Sequence, residues 1–252
     1  MRCRYCGRLK KLDGFAGEGG AGKGYMDAGF CVDAVDTSAT RLMNYPVVCE
    51  GQERAQMDAI EYIIEHGHTY AAIHASPTCT GYSQGTVAIP DRVAKYDRLI
   101  GATREALQIA GRPYIIENVY GARRELRNPV MLCGRMFGLV ARDDDGTHLT
   151  LDRHRMFEIH GFPLLAPEHV PHGWKANRRD GIQVAGAYGG ARRDKREARE
   201  IRKGGYVPSL RVMRDLLGTP WMTEKGCQLS IPPAYTEFIG TQLLDHLARA
   251  AA

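Results

Sequence analysis

The chain predicts an α/β fold, and three observations lead there. Residues 30–35, 70–73 and 114–116 are short apolar runs that read as buried strands, and 9–13 can form another. Helical patterns separate them: one opens at Asp58 and runs through Ile60, Ile63 and Ile64, and a longer amphipathic one spans 96–110. The first strand leads into a glycine-rich turn, 14–25, of the kind that joins a strand to a helix.

Composition bounds the class. The 252 residues make room for one large α/β domain, or one domain with a small appendage. With 44% hydrophobic and 25% charged residues the composition is that of a soluble globular protein. No apolar run approaches the ~18 residues of a membrane span, and Met1-Arg2-Cys3-Arg4 has no apolar secretory core. Seven scattered cysteines fit a reducing cytoplasm better than a disulfide framework, so a cytoplasmic location is expected. A net charge of +5 is mild, which makes its distribution more telling than its sum.

Taken in order, Cys3-Arg4-Tyr5-Cys6 is a CxxC pair, half of a zinc site. The next cysteines, Cys31 and Cys49, bring neither a second CxxC nor a paired histidine, so no metal is assigned. In the glycine-rich turn at 14–25, the missing β-carbons of glycines such as Gly17, Gly19 and Gly20 let a ligand approach the backbone. The spacing is not the dinucleotide fingerprint, and Lys23 is followed by Gly24, so it is no phosphate loop either. Asp36 ends the second strand, where an acid can bind both hydroxyls of a ribose or simply be a solvated turn residue. Asp58 is a helix N-cap, or also faces a cofactor's adenine.

The stretch from His74 to Ser83 puts Cys79 in a loop just past a strand, where open α/β sheets place their chemistry. Such a cysteine can be a thiolate nucleophile, although a lone cysteine is also ordinary packing. Gly111-Arg112-Pro113 ends the 96–110 helix, and the next strand runs straight into Glu117-Asn118-Val119. A carboxyl on a strand beside that of Cys79 is what a nucleophile paired with a proton donor needs. Alternation along 153–159 predicts Arg153 and Arg155 on one face and Met156 on the other. Periodicity weakens over 160–228, which holds Arg178, Arg179, Arg192, Arg193, Lys195 and Arg196. That stretch suits a phosphate backbone, or else forms a solvated helix of alternating charge. Order returns at 207–217, and Ile231-Pro232-Pro233 starts a last helix running to about residue 248.

Together these segments resemble the DNA (cytosine-5) methyltransferases, particularly the small bacteriophage-encoded ones. The match spans residues 12–244 and keeps the family's motif order: Phe-Ala-Gly-x-Gly-Gly at 15–20, the nucleophile loop at 76–83, Glu117-Asn118-Val119, Arg153-His154-Arg155, and Ile231-Pro232-Pro233 with Gly240. The resemblance implies one Rossmann-like, S-adenosyl-methionine-dependent domain with a small irregular target-recognition region. It divides the chain into a core (8–159), a basic target-recognition region (160–228) and a returning C-terminal helix (229–250). It implies catalytic roles for Cys79, Glu117, Arg153 and Arg155, with Cys79 adding to cytosine carbon 6. Phe15, Ala16, Gly17, Gly19, Gly20, Asp36, Asp58, Pro77 and Ser230 would hold the cofactor. Ser83, Arg178, Arg179, Arg192, Arg193, Lys195 and Arg196 would touch double-stranded DNA, with the protein a monomer and the target base flipped out. Thr78 and Thr80 stand where the family usually has Pro and Gln, Leu151 where it often has Gln, and Gln228-Leu229-Ser230 replaces Gly-Asn-Ser. A catalytically weak relative serving as a DNA-binding module, and an RNA cytosine methyltransferase, are the competing expectations. Amino-group methyltransferases are disfavoured, since Ser76-Pro77-Thr78-Cys79 stands where their Asp/Asn-Pro-Pro-aromatic loop would be.

Overall fold

The computed structural model describes residues 1–82, 96–169, 171–172, 182–186 and 206–250. Its main sheet has seven strands in the order β3-β2-β1-β4-β5-β9-β6. These are β1 (Lys10–Gly14), β2 (Cys31–Asp36), β3 (Arg54–Gln56), β4 (Ala72–Ala75), β5 (Tyr114–Val119), β6 (Val130–Leu132) and β9 (Arg155–His160). The first five run parallel, while β9 lies antiparallel between β5 and β6. All the carboxyl ends of β1, β2, β4 and β5 therefore open on one edge, and that edge carries the candidate site.

Both faces of the sheet are covered, so β2 and β4 are buried at every residue. Ile73 and Ala75 pack with Ile63 of helix α3 (Ala59–His66) and with Leu107 of the helix Ile100–Ala110. Ala72 and Ile115 point the other way, towards Tyr25 of helix α1 (Gly20–Ala28) and Tyr235 of the helix Pro233–Ala250. Gly20 and Gly24 make that second layer tight. A β-carbon on Gly24 would lie 2.1 Å from the Pro233 carbonyl, and one on Gly20 would lie 2.4 Å from that of Ile231. Gly24 lets helix meet helix, and Gly20 lets α1 meet the residues that lead into the last helix.

Several boundaries differ from the pattern. The 70–73 run becomes a strand over 72–75, because Tyr70 turns aside to donate its hydroxyl to Asp33 at 3.0 Å. The 96–110 helix starts only at Ile100, since Arg98 is drawn out to pair with Glu125 at 3.0 Å and to lie over the Tyr82 ring. Strand β9 begins at Arg155, and Arg153 before it has φ 32°, so the predicted alternation stops short of Arg153.

A smaller sheet, β10-β8-β7, joins β7 (Val140–Arg142), β8 (His148–Thr150) and β10 (Ile182–Val184). It takes strands from either side of residue 160. The helix Leu210–Leu217, N-capped by Ser209, buries Val212, Met213, Leu216 and Leu217 against Leu149 and Leu151 of this unit. Among the described residues, no helix is long and apolar enough to cross a membrane.

Candidate active site

A cleft of about 450 Å³ lies at the carboxyl edge of the main sheet, lined by Cys79, Glu117 and Arg155 on one side and by Phe15, Gly17 and Asp36 on the other. The loop leaving β4 is pinned at its start. Ser76 donates its backbone N–H to the Gly14 carbonyl at 3.2 Å, and Asn118 donates from Nδ2 to the Pro77 carbonyl at 2.9 Å. A single 3₁₀ turn, Thr80–Tyr82, follows Cys79, with the Tyr82 N–H on the Cys79 carbonyl at 3.0 Å. The hydroxyls of Thr78 and Thr80 meet across the cysteine at 3.2 Å. That bond restrains the loop by a different route from a proline ring, which fixes φ covalently.

Glu117 sits near the end of β5, buried. Arg155 Nε lies 2.9 Å from its Oε1 as an ion pair, without the alignment of a hydrogen bond. Burial raises the Glu117 pKa from 4.5 to about 7, against the opposing pull of Arg155 and Arg153. The Cys79 thiol is likewise pushed up, first by burial and then by the charge on Glu117, with Arg155 drawing it back. So the cleft favours a neutral carboxyl, and a guanidinium tempers both groups.

Arg153 acts on this cluster through its charge but does not line the cleft. Fully buried and turned the other way, it donates from Nε to the Ser230 carbonyl at 2.8 Å. Its Nη2 reaches the carbonyls of Cys227 at 3.0 Å and Gln228 at 2.8 Å. These are carbonyls at the end of the helix Glu224–Leu229, where a cation satisfies groups that lack helical partners. The site expected to hold two arginines holds one, and Arg153 positions backbone.

On the cofactor side, Phe15 takes the left-handed conformation at φ 59°, which turns the chain sharply at the head of β1. Gly17 has φ 56°, and a β-carbon there would meet nothing within 4 Å, so here the backbone is open to the cleft. Gly19 caps α1 at φ 83° but lies against Tyr45 and Pro46, away from the cleft lining. Ala16, Gly20, Pro77 and Ser230 do line it. Asp36 accepts the Gly17 N–H at 2.9 Å and the Ser38 N–H at 2.8 Å, one on each carboxylate oxygen. Asp58 is an N-cap as expected, its Oδ1 taking the N–H groups of Ile60 and Glu61, and it also lines the cleft.

Three contributors were not foreseen. Asn118 locks the nucleophile loop, and Tyr45 donates to the buried Asp13 at 3.0 Å behind the glycine turn. Glu18 binds the N–H of Thr223 at 2.7 Å and its hydroxyl at 2.5 Å, tying the turn to the C-terminal segment. For Asn118 the signal was its place between Glu117 and a strand end. Tyr45 and Glu18 act over long sequence separations and leave no local trace. Ser83, Arg178, Arg179, Arg192, Arg193, Lys195 and Arg196 lie outside the described residues.

Sheet order and cleft position define the class: the chain has the Rossmann-like fold of the S-adenosyl-methionine-dependent methyltransferases. Among solved structures it is similar to the Dnmt2 methyltransferase of S. pombe, with a TM-score of 0.58 and 15% identity over 95% of this chain and 99% of that one. A protein described as a DNA modification methyltransferase encoded within an E. coli prophage gives 0.56 and 14%, over 96% and 99%. The Entamoeba histolytica methyltransferase EhMeth gives 0.51 and 11%, over 95% and 99%. At such identities the likeness concerns the fold. No protein-family model matches the sequence, and no curated protein does.

Proposed function

We propose that this chain is a DNA cytosine-5 methyltransferase using S-adenosyl-methionine, with Cys79 as its nucleophile. One observation carries the reading: a thiol, a carboxyl whose pKa burial raises to about 7 and an arginine share a cleft with an open glycine turn and an acid at the end of β2. The residues present fit the cofactor. Each oxygen of Asp36 accepts a single N–H, so each retains acceptor capacity for a ribose hydroxyl. The backbone at Gly17 is open to a ligand, and the second oxygen of Asp58 takes neither N–H of its helix. When bound, the cofactor supplies an electrophilic methyl group.

The chain's own part is to make carbon 5 of cytosine nucleophilic. Cys79, as thiolate, adds to carbon 6, while neutral Glu117 shares its proton with the ring nitrogen that gains charge. Arg155 orients Glu117 and faces the base's carbonyl oxygen. After transfer the proton on carbon 5 leaves to water, its bonding pair re-forms the ring double bond as the bond from carbon 6 to sulfur breaks, the thiolate is returned, and Glu117 takes back the proton it shared. Residues 8–159 and 229–250 would form the catalytic core, and the basic residues within 160–228 the DNA-facing region, with the protein acting as a monomer.

Incubation with methyl-labelled cofactor and either duplex DNA or RNA tests the proposal directly. Label recovered as 5-methylcytosine in DNA supports it. Label only in RNA selects the RNA reading, and none in either selects the DNA-binding module. Replacing Asp36 by Ala is expected to weaken cofactor binding roughly 5- to 150-fold, the equivalent of about 1–3 kcal/mol. DNA affinity without cofactor should stay unchanged; calorimetry on each ligand checks both.

The rate should also carry the signature of two groups needed in opposite states. The thiolate fraction rises tenfold per pH unit below the raised thiol pKa, while neutral Glu117 is lost above about 7. Single-turnover rates should climb with unit slope up to about pH 7 and then level. With Glu117→Gln, the rate should be lower but should keep climbing past that point.

A further inference from the structure

We propose that the chain binds two zinc ions, one through Cys3, Cys6, Cys31 and Cys49 and the other through Cys133, His154, His169 and His172. In each group the four donor atoms lie within 4.8 Å of one another. Four thiolates at about 2.3 Å from a zinc ion stand about 3.8 Å apart along the edges of a tetrahedron. Cys6 and Cys49 sulfurs are 3.5 Å apart and those of Cys31 and Cys49 3.0 Å, both within about 1 Å of that edge and well beyond a bonded disulfide at about 2.05 Å. All these cysteines are free.

The backbone around the first site has the form such a site needs. Gly7 follows the CxxC pair with φ 70° and donates to the Cys3 carbonyl at 2.9 Å, folding both sulfurs to one side. Cys31 opens β2, and Cys49 comes from the loop that carries Tyr45. An ion here would clip the N-terminal segment and that loop onto the sheet. The ligands come from three separate parts of the chain, which is why spacing alone did not reveal them.

The second site is independent of the first and has mixed donors. Cys133 Sγ lies 3.2 Å from His172 Nε2, and His154 Nε2 lies 3.1 Å from His169 Nε2. Behind it, His172 Nδ1 is 3.3 Å from Asp152 Oδ2, and Asp152 Oδ1 accepts from Arg135 at 2.6 Å. A carboxylate on the far nitrogen of a ligating histidine fixes its tautomer and orients its ring. His154 stands between Arg153 and Arg155, so this ion would hold His169 and His172 against the residues that lead into β9. With four protein ligands each, both sites are closed and structural. Each thiol releases its proton to solvent as it coordinates.

Native mass spectrometry of the full chain, purified from zinc-supplemented cells without chelator, should count two zinc ions. X-ray absorption should show a mixed first shell of sulfur and nitrogen. Cys6→Ser with Cys49→Ser should lower the count to one, as should His169→Ala with His172→Ala. Should either double variant fail to fold, the wild type still decides the matter. Alkylation of the native protein should spare Cys3, Cys6, Cys31, Cys49 and Cys133 until a strong chelator is added. A metal-free wild type whose cysteines alkylate without chelator overturns both sites, whereas a mass lower by two hydrogens that reveals a disulfide between Cys31 and Cys49 overturns the first. A count of one, lost in only one double variant, overturns the other site.

Discussion

Replacing Cys79 by Ala is expected to abolish methyl transfer, a fall of at least about a thousandfold, or about 4 kcal/mol of barrier. The ring carbon that receives the methyl group becomes nucleophilic only after sulfur adds beside it, and among the described residues no other cysteine lines the cleft. DNA carrying 5-fluorocytosine should trap the wild type as an adduct that survives denaturation, because fluorine cannot leave carbon 5 as a proton does. The alanine variant should give no adduct yet still bind cofactor and DNA with ordinary affinity, since Asp36 and Asp58 are untouched. Methylation by Cys79→Ala would refute the covalent mechanism. Trapping of the wild type without catalytic turnover would instead locate the defect after addition, at loss of the carbon-5 proton.

Where the sequence was legible, the chemistry was local. Cys79 announced itself because an apolar strand gives way within a few residues to loop chemistry, and Glu117 because it directly continues a buried run. Asp58 read as an N-cap from its position alone, and its carboxylate does cap α3. The glycine turn was half legible. Its location was clear, but Gly17 faces the cleft while Gly24 serves helix packing, and composition cannot separate those uses. Contacts spanning the chain were silent. Glu18 meets Thr223 only because the C-terminal segment returns over the first turn. Cys49 meets Cys31 only because a loop folds back onto the start of β2. In such cases the partner is set by topology, and no window of sequence contains both.

The two arginines of Arg153-His154-Arg155 are expected to fail in different ways when replaced. Strand periodicity treats them as equivalent, but the positive φ at Arg153 breaks that period and sends the two side chains to different neighbours. Arg153→Ala would strand the carbonyls of Cys227, Gln228 and Ser230 in a buried site, with an expected stability loss of roughly 3–5 kcal/mol. Arg153→Lys should recover only part of it, because one ammonium cannot reproduce a fork that reaches three acceptors. Arg155→Ala should cost little stability at neutral pH, since Glu117, without its counter-ion, answers burial by staying protonated. Its rate should fall by roughly 10²–10⁴, as the acid loses orientation and the Cys79 thiol loses the cation that draws its pKa down. The same loss raises the Glu117 pKa further, so the pH at which the rate levels should move above about 7. Denaturant titration and single-turnover rates on the three variants distinguish the roles. Equal stability losses for Arg153→Ala and Arg155→Ala, or a levelling point that stays put in Arg155→Ala, would return the two arginines to a shared role.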